Sequence, residues 1–337
     1  MTKKIVLSAI QPSGELHIGN YFGAIQNWVR LQNEKEYDCI YGVVDLHVMT
    51  MPYQPDVLKK NTEQMVIDLL ACGIDVDKST LFIQSLVPEH TELTWIFNCI
   101  CSFGDLTRQT QFKEKSDQIN EKQTGDKFIS AGLFTYPVLQ AADILVYKAD
   151  FVPVGKDQEQ HLELSRTIAE RFNGRFGELF PQPQVLSTVT PKIYSLADPA
   201  KKMSKSLGDK HIVGLFEEEN TLRKKVRSAV TDSGETTGEM SAGVGNLFEL
   251  LKACGKTESA LALMENFTAG NLKYSELKEA VGDALVELTG EFRKRREDFL
   301  KDRKQAIKQV HKSSEKARDL AADTLKEVRK LCGLPKR

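Results

Sequence analysis

Residues 3–32 read KKIVLSAIQPSGELHIGNYFGAIQNWVRLQ. A β-branched apolar run ends at Ile10, a polar connection holds Pro12, Gly14 and Gly19, and an amphipathic segment follows. Ile18, Phe22, Ile25 and Val29 fall at i, i+4, i+7 and i+11, one face of a helix. The stretch predicts strand, loop and helix in that order. Its connection, QPSGELHIGN at 11–20, is longer and more polar than a strand-to-helix turn requires, so it is a candidate binding loop.

The alternation continues along the chain. YDCIYGVVD (37–45), STLFIQS (79–85) and DFVPVG (150–155) read as short buried strands bounded by turn residues. Leu164, Ile168 and Phe172 recur every four residues in DQEQHLELSRTIAERF, whose acidic start suits a helix N-terminus. Strands alternating with helices predict a doubly wound parallel sheet, an α/β domain of Rossmann-like type. Beyond Gly208 the character changes to helical segments such as FEEENTLRKKVRSAV, joined by turn-rich linkers. The expected division is a Rossmann-like domain over 1–207 and a helical C-terminal domain over 208–337. Residues 116–129 read as a polar surface loop.

Composition removes several classes of function. Apolar residues are 41% and charged residues 28%, ordinary for a globular chain. No apolar run approaches the roughly 18–20 residues of a membrane span, and the N-terminal apolar stretch is too short for a secretory signal. The expected location is the cytoplasm, with no membrane partner. The six cysteines form no C-x-x-C pair and read as buried free thiols; Cys99-Ile-Cys101 alone is a weak metal signal, and no metal site is expected. Net charge is −1, but residues 291–337 hold 16 Lys and Arg against 8 Asp and Glu, a local +8 on a body of −9. Two readings fit that tail: a face for a polyanion, or a solvated helical surface.

In a doubly wound sheet, ligands bind beyond the carboxyl ends of the strands, where the 11–20 loop stands. Gly14 and Gly19 permit close backbone approach, and a helix starting near Gly19 turns free N–H groups outward, as a phosphate requires. Neither common phosphate motif is present: there is no G-x-x-x-x-G-K-[ST], and GVGNLF at 243–248 lacks the third glycine and a preceding strand. A second donor cluster is KKMSKSLG at 201–208. By itself it also fits a solvated loop.

Taken together, PSGELHIGN and KMSKS resemble the signature pair of the class I aminoacyl-tRNA synthetases, with Asn20 where the first motif usually ends in histidine. Tyr136-Pro-Val-Leu-Gln-Ala-Ala-Asp143-Ile-Leu-Val-Tyr and Asp150-Phe-Val-Pro-Val-Gly-Lys-Asp-Gln-Glu-Gln-His161 resemble the tryptophanyl branch. Val43-Val-Asp45-Leu-His47, Thr110-Gln-Phe-Lys-Glu-Lys115-Ser and Val230-Thr-Asp-Ser233 agree with it. The likeness runs from about residue 5 to 235 and more loosely beyond.

This resemblance implies a set of roles. Gln11, Pro12, Ser13, Gly19 and Asn20 line an ATP site, with His17 near the phosphates. Gly155, Lys156, Asp157 and Gln158 meet the ribose, and Ile193 lies against the adenine. Lys202, Lys205 and Ser206 close on the β- and γ-phosphates with Lys115, and Met203 and Ser204 complete their loop. Asp143 accepts the indole N–H of tryptophan, in a pocket with Gln140, His47, Gln111, Leu7, Val152 and Val154. ATP enters as substrate with Mg²⁺, and no iron–sulfur cluster is implied. Domain 1–207 then binds ATP and amino acid, and 208–337 the tRNA anticodon of tRNA(Trp), in a homodimer.

Plainer readings remain beside these. Asp143 could pair with a lysine, His47 could be a satisfied core histidine, Lys115 could be solvated, and Trp28 and Trp95 read as structural. Gln140 stands where many relatives carry Met, and Gln before the specificity Asp also resembles the tyrosyl branch. The alternatives are therefore a tyrosine-specific synthetase and an inactive synthetase-like RNA-binding protein.

Overall fold

The protein's structure, a computed structural model, describes residues 3–109, 129–153, 155, 159–187, 191–231 and 240–336. Five parallel strands form one sheet: β1 (Lys4–Ile10), β2 (Tyr37–Val43), β3 (Thr80–Ile83), β4 (Phe151–Val152) and β5 (Gln184–Val185), in the order β3-β2-β1-β4-β5. The doubly wound expectation holds. β1 and β2 pair along seven residues, whereas β1 meets β4 only through Val6 and Phe151. The DFVPVG strand is shorter than predicted because Pro153 has no N–H to continue the ladder.

Successive strand residues face opposite sides of a pleated sheet. Val6, Tyr41 and Leu81 join one buried cluster; Leu7, Ile40 and Phe82 join the other. Both faces are therefore covered, as a parallel sheet requires. After β1 the chain builds β2 and β3 on one side, then crosses to β4 on the other. The carboxyl ends of β1 and β4 consequently flank a crevice.

Helix α1 runs through residues 18–31 as an α turn (Ile18–Asn20), a π turn (Tyr21–Ile25) and an α segment (Gln26–Leu31). Within it Trp28 stacks on Tyr41 with centroids 4.8 Å apart, and the Tyr41 hydroxyl donates to the Trp28 carbonyl at 2.9 Å. That fits its structural reading. Then come α2 (Pro55–Ala71), α3 (Glu89–Asn98), α4 (Phe103–Thr107), α5 (Ala131–Leu145) and α6 (Glu159–Phe176). Trp95 departs from its structural reading: it lies on the outer face of α3, 71% exposed. The cysteines are free, but only Cys39 and Cys72 are buried; Cys99 is exposed and the other three are half-buried.

Past residue 208 the described residues form α7 (Glu219–Arg227), α8 (Ala242–Ala253), α9 (Thr257–Thr268), α10 (Tyr274–Lys301) and α11 (Arg303–Leu331). The last helix returns to the sheet and lies along β3. Ser313 Oγ accepts the Leu81 N–H at 3.0 Å and Ser314 Oγ accepts the Ile83 N–H at 3.1 Å. Two hydroxyls thus satisfy the outward donors of an edge strand, which would otherwise be buried without partners. Below them Ala317, Ala321, Leu325 and Val328 complete the core on the α5 side.

Charge reinforces this docking. Arg296 lies 2.9 Å from Asp68, Arg303 from Glu63 at 2.9 Å, Arg318 from Glu89 at 3.4 Å, and Arg329 pairs with Glu92. Arginines of the basic tail therefore turn inward onto acidic groups of α2 and α3. Among the described residues, no helix is long and apolar enough to cross a membrane.

Candidate functional site

The loop after β1 is fixed by its neighbours. The Ile18 N–H donates to the Val213 carbonyl at 2.9 Å, and the Leu215 N–H to the Leu16 carbonyl at 2.9 Å. His17 caps α1, its N–H donating to Asn20 Oδ1 at 3.1 Å. Its ring is buried, only 6% exposed, and among the described residues Nδ1 has no hydrogen-bond partner. Burial, then Lys205, then Lys202 push its pKa down to about 4. The imidazole therefore stands neutral beside two cations. Gly19 leaves little room: a Cβ would lie 3.0 Å from the His17 ring and 3.4 Å from the Met203 Cβ.

The second motif meets the first. The Met203 N–H donates to the Ile193 carbonyl at 3.1 Å, and Tyr194 pairs with Lys202 in an isolated antiparallel bridge. Ile193 and Met203 are both buried in the cluster that holds Leu16 and Ile18. Lys205 reaches over the loop at Gly14, whose φ is +105°; a Cβ there would be 3.8 Å from the ammonium nitrogen. Burial lowers the Lys205 pKa, while Glu15 and Asp68 oppose that shift. Lys202 and Ser206 are exposed, and the Ser204 and Ser206 hydroxyls are 2.9 Å apart. The arrangement brings two lysine ammonium groups, Lys202 and Lys205, over the loop after β1, chemistry that suits a polyphosphate.

The other candidate centre is Asp143, on α5 and 3% exposed. Gln84 Nε2 donates to Oδ1 at 2.7 Å, His90 Nδ1 meets Oδ1 at 2.6 Å, and His47 Nε2 meets Oδ2 at 2.8 Å. Burial alone raises a carboxyl pKa, but the hydrogen bonds from His47 and His90 outweigh it and hold Asp143 down at about 2. His90 Nε2 in turn lies 2.8 Å from the Tyr147 hydroxyl, whose own pKa burial pushes well above 10. Gln84 is oriented by its Oε1, which accepts the Leu46 N–H at 3.2 Å. A buried, ionised, well-supported acceptor is thereby built at the strand ends.

Of the residues implied by the sequence, His47 and Asp143 are brought together, as are His17, Gly19, Ile193, Met203 and Lys205. Gln11 and Ser13 are exposed at the loop, Pro12 is buried beneath it, and Gly155 is exposed. Leu7 and Val152 are buried in the cluster of Ala142 and Ile144, and Gln140 is half-buried on α5. Gln111, Lys115, Val154, Lys156, Asp157 and Gln158 lie outside the described residues, as does most of the 116–129 loop. Gln84, His90 and Tyr147 escaped the sequence reading. A clue existed for Gln84: an amide inside LFIQSL must find partners if that run is buried.

The family described as tRNA synthetases class I (W and Y) matches residues 2–290. A protein of Streptomyces avermitilis named tryptophan--tRNA ligase 2 is 46% identical over 330 residues, 96% of this chain and 95% of that one. The crystal structure of tryptophanyl-tRNA synthetase from Mycoplasma pneumoniae superposes with a TM-score of 0.86 at 35% identity, covering 99% of both chains. That of Campylobacter jejuni, complexed with ADP and tryptophan, superposes with a TM-score of 0.83 at 32% identity, over 98% of this chain and 100% of that one.

The His17 environment has a consequence for stability. The folded ring stays neutral down to about pH 4, whereas the unfolded ring takes its proton near 6.5. Between those values the unfolded chain binds more protons, so stability falls as pH drops from 6.5 towards 4. The full effect is about 3 kcal/mol, from the value of about 4 against 6.5. Urea unfolding at pH 6.5 and 4 should show the native protein losing more stability than His17→Asn; equal losses would contradict the depressed pKa.

Proposed function

The chain belongs to the class I tRNA synthetases of the tryptophan and tyrosine branch, and from that premise we propose how its crevice activates tryptophan with ATP and charges tRNA. It is a tryptophan--tRNA ligase, and the tyrosine-specific alternative is not favoured. One observation carries the site reading. A loop pair crowded by Lys202 and Lys205 follows β1, and a buried ionised carboxylate on α5 is held by groups from the turns after β2 and β3.

Tryptophan has one polar side-chain group, a donor, so a fixed anion in an apolar wall identifies it. Asp143 supplies that anion, flanked by His47, Leu7, Val152 and Gln140. An amino acid without the N–H leaves Asp143 one bond short, a penalty of about 1–3 kcal/mol. The tryptophan carboxylate attacks the α-phosphorus of ATP in line, the bond to the bridging oxygen breaks, and pyrophosphate leaves. The nucleophile is already ionised, so no general base is required. Catalysis then rests on positioning and on stabilising charge that builds on the leaving pyrophosphate. Lys202, Lys205 and Ser206 serve the β- and γ-phosphates together with Lys115, while Gln11, Ser13, Gly19 and Asn20 hold the nucleotide and Ile193 its adenine. His17, neutral, offers hydrogen bonding without adding a third positive charge. Mg²⁺ carried on the triphosphate would share with Lys202 and Lys205 the neutralising of charge on the phosphates. In the second step a terminal ribose hydroxyl of tRNA, the 2′-OH in this class, attacks the adenylate carbonyl and AMP departs.

The basic tail supports a tRNA face. With arginines of the tail turned inward, exposed Lys304, Lys308, Lys312 and Lys316 stand four residues apart along α11. That spacing places them along one side of the helix, open to a phosphodiester backbone. Exposed Trp95 and Phe103, at 71% and 73%, mark an apolar surface suited to a second copy of the chain. The setting for this work is the cytoplasm.

Pyrophosphate exchange tests the activity: tryptophan should drive it and tyrosine should not. Lys205→Ala should slow exchange by about two orders of magnitude with tryptophan affinity little changed; an unaltered rate would remove Lys205 from the reaction. Sedimentation velocity tests the partners: the free protein should run as a dimer that carries tRNA at low salt and releases it as salt rises. A monomer, or tRNA binding indifferent to salt, would contradict the corresponding assignment.

A further inference from the structure

Asp143 has more support than an acceptor of one hydrogen bond needs, and the support is unevenly placed. Oδ1 takes two donors, Gln84 Nε2 at 2.7 Å and His90 Nδ1 at 2.6 Å. Oδ2 takes one among the described residues, His47 Nε2 at 2.8 Å. Gln84 and His90 are completely buried and rise from the turn after β3 and from the start of α3. Each is itself locked. The Leu46 N–H holds the Gln84 carbonyl oxygen and so fixes which end of the amide faces Asp143. The ionised Asp143 can only accept, so Nδ1 of His90 carries the proton towards it, and Nε2 of the neutral ring is left to accept from the Tyr147 hydroxyl 2.8 Å away. The His90 ring also stacks on Phe82, with centroids 5.4 Å apart and planes 24° from parallel.

We infer that Gln84 and His90, the latter set by Tyr147, are positioning residues for side-chain recognition: they occupy Oδ1 and so present Oδ2 as the acceptor for the ligand's N–H. This rests on the reading of Asp143 as the indole acceptor and adds to it a direction. A carboxylate that could rotate about its Cβ–Cγ bond would accept from a donor at several angles. One whose Oδ1 is pinned by two fixed donors accepts from one side only. The three donors also leave a carboxylate close to saturated, so a bulkier polar group with two hydrogen-bonding needs finds no second acceptor there.

The test uses the full-length enzyme and steady-state pyrophosphate exchange. His90→Leu should raise the KM for tryptophan about tenfold to a hundredfold, with the KM for ATP unchanged and kcat within about threefold. His90→Asn places an amide nitrogen where Nδ1 stood and should restore the tryptophan KM to within about threefold of native, even though the link to Tyr147 is gone. A purely structural role would move kcat and both KM values together and would not be rescued by Asn. Asp143→Asn is measured alongside. If it raises the tryptophan KM while His90→Leu does not, the positioning role is overturned and the acceptor reading stands. If Asp143→Asn leaves the tryptophan KM unchanged, the acceptor reading falls, and the positioning role with it. Where Asp143→Asn and His90→Leu both raise it, the double variant should cost clearly less than the product of the two single effects; strict additivity would overturn the inference, since two residues acting through one hydrogen bond must couple.

Discussion

A negative charge taken out of water must be given donors or it will be lost to protonation, and Asp143 is the place where this chain meets that demand. Its carboxylate is buried in a packed interior, yet stays ionised because three side chains donate to it. Those donors come from the turn after β2, the turn after β3 and the start of α3. Each therefore sits at the carboxyl end of the sheet or on the helix that follows. The carboxylate ties these segments to α5, and the strand ends cannot shift separately without breaking a buried charge-assisted bond.

The cationic half of the crevice obeys the opposite logic. Lys205 and Lys202 crowd a loop of backbone donors, and the histidine between them gives up its charge. Two ammonium groups placed this way suit a reaction whose transition state gathers charge on departing phosphates. The tail adds a structural use for charge: arginines dock α10 and α11 on the body through Asp68, Glu63, Glu89 and Glu92. Glu89 precedes His90 in the chain, so the helix that carries the exposed lysines is anchored one residue from the support of Asp143.

Much of this was legible before any coordinates. The opening strand, loop and helix follow from the β-branched run, the glycines and the 3.6-residue period, and the strands at Tyr37 and Thr80 from the same signals. The two motif loops stand out in the sequence through their resemblance to the family signature, and the fold brings His17, Gly19, Met203 and Lys205 of those loops together. What stayed hidden depended on contacts between distant segments. The buried face of α11, with Ala306, Val310, Ser313, Ser314, Ala317 and Ala321, is small and partly polar, so its place on β3 left only a faint apolar stripe. β5 is two residues long beside Pro183 and carries too little pattern to be seen. His90 belongs to no motif, Tyr147 only closes the segment that carries Asp143, and their meeting joins residues 57 positions apart. Trp95 reads as structural from the sequence, and only the packing of α3 shows that it stands on the surface.

The claim at the centre is that one carboxylate recognises one N–H. Calorimetry with L-tryptophan and with its analogue in which sulfur replaces the indole N–H addresses it directly, since the two differ in little but the donor. The account predicts that the analogue binds the native protein about ten to a hundred times more weakly, the cost of leaving a buried anion without that bond. Equal affinity for the two ligands would contradict it.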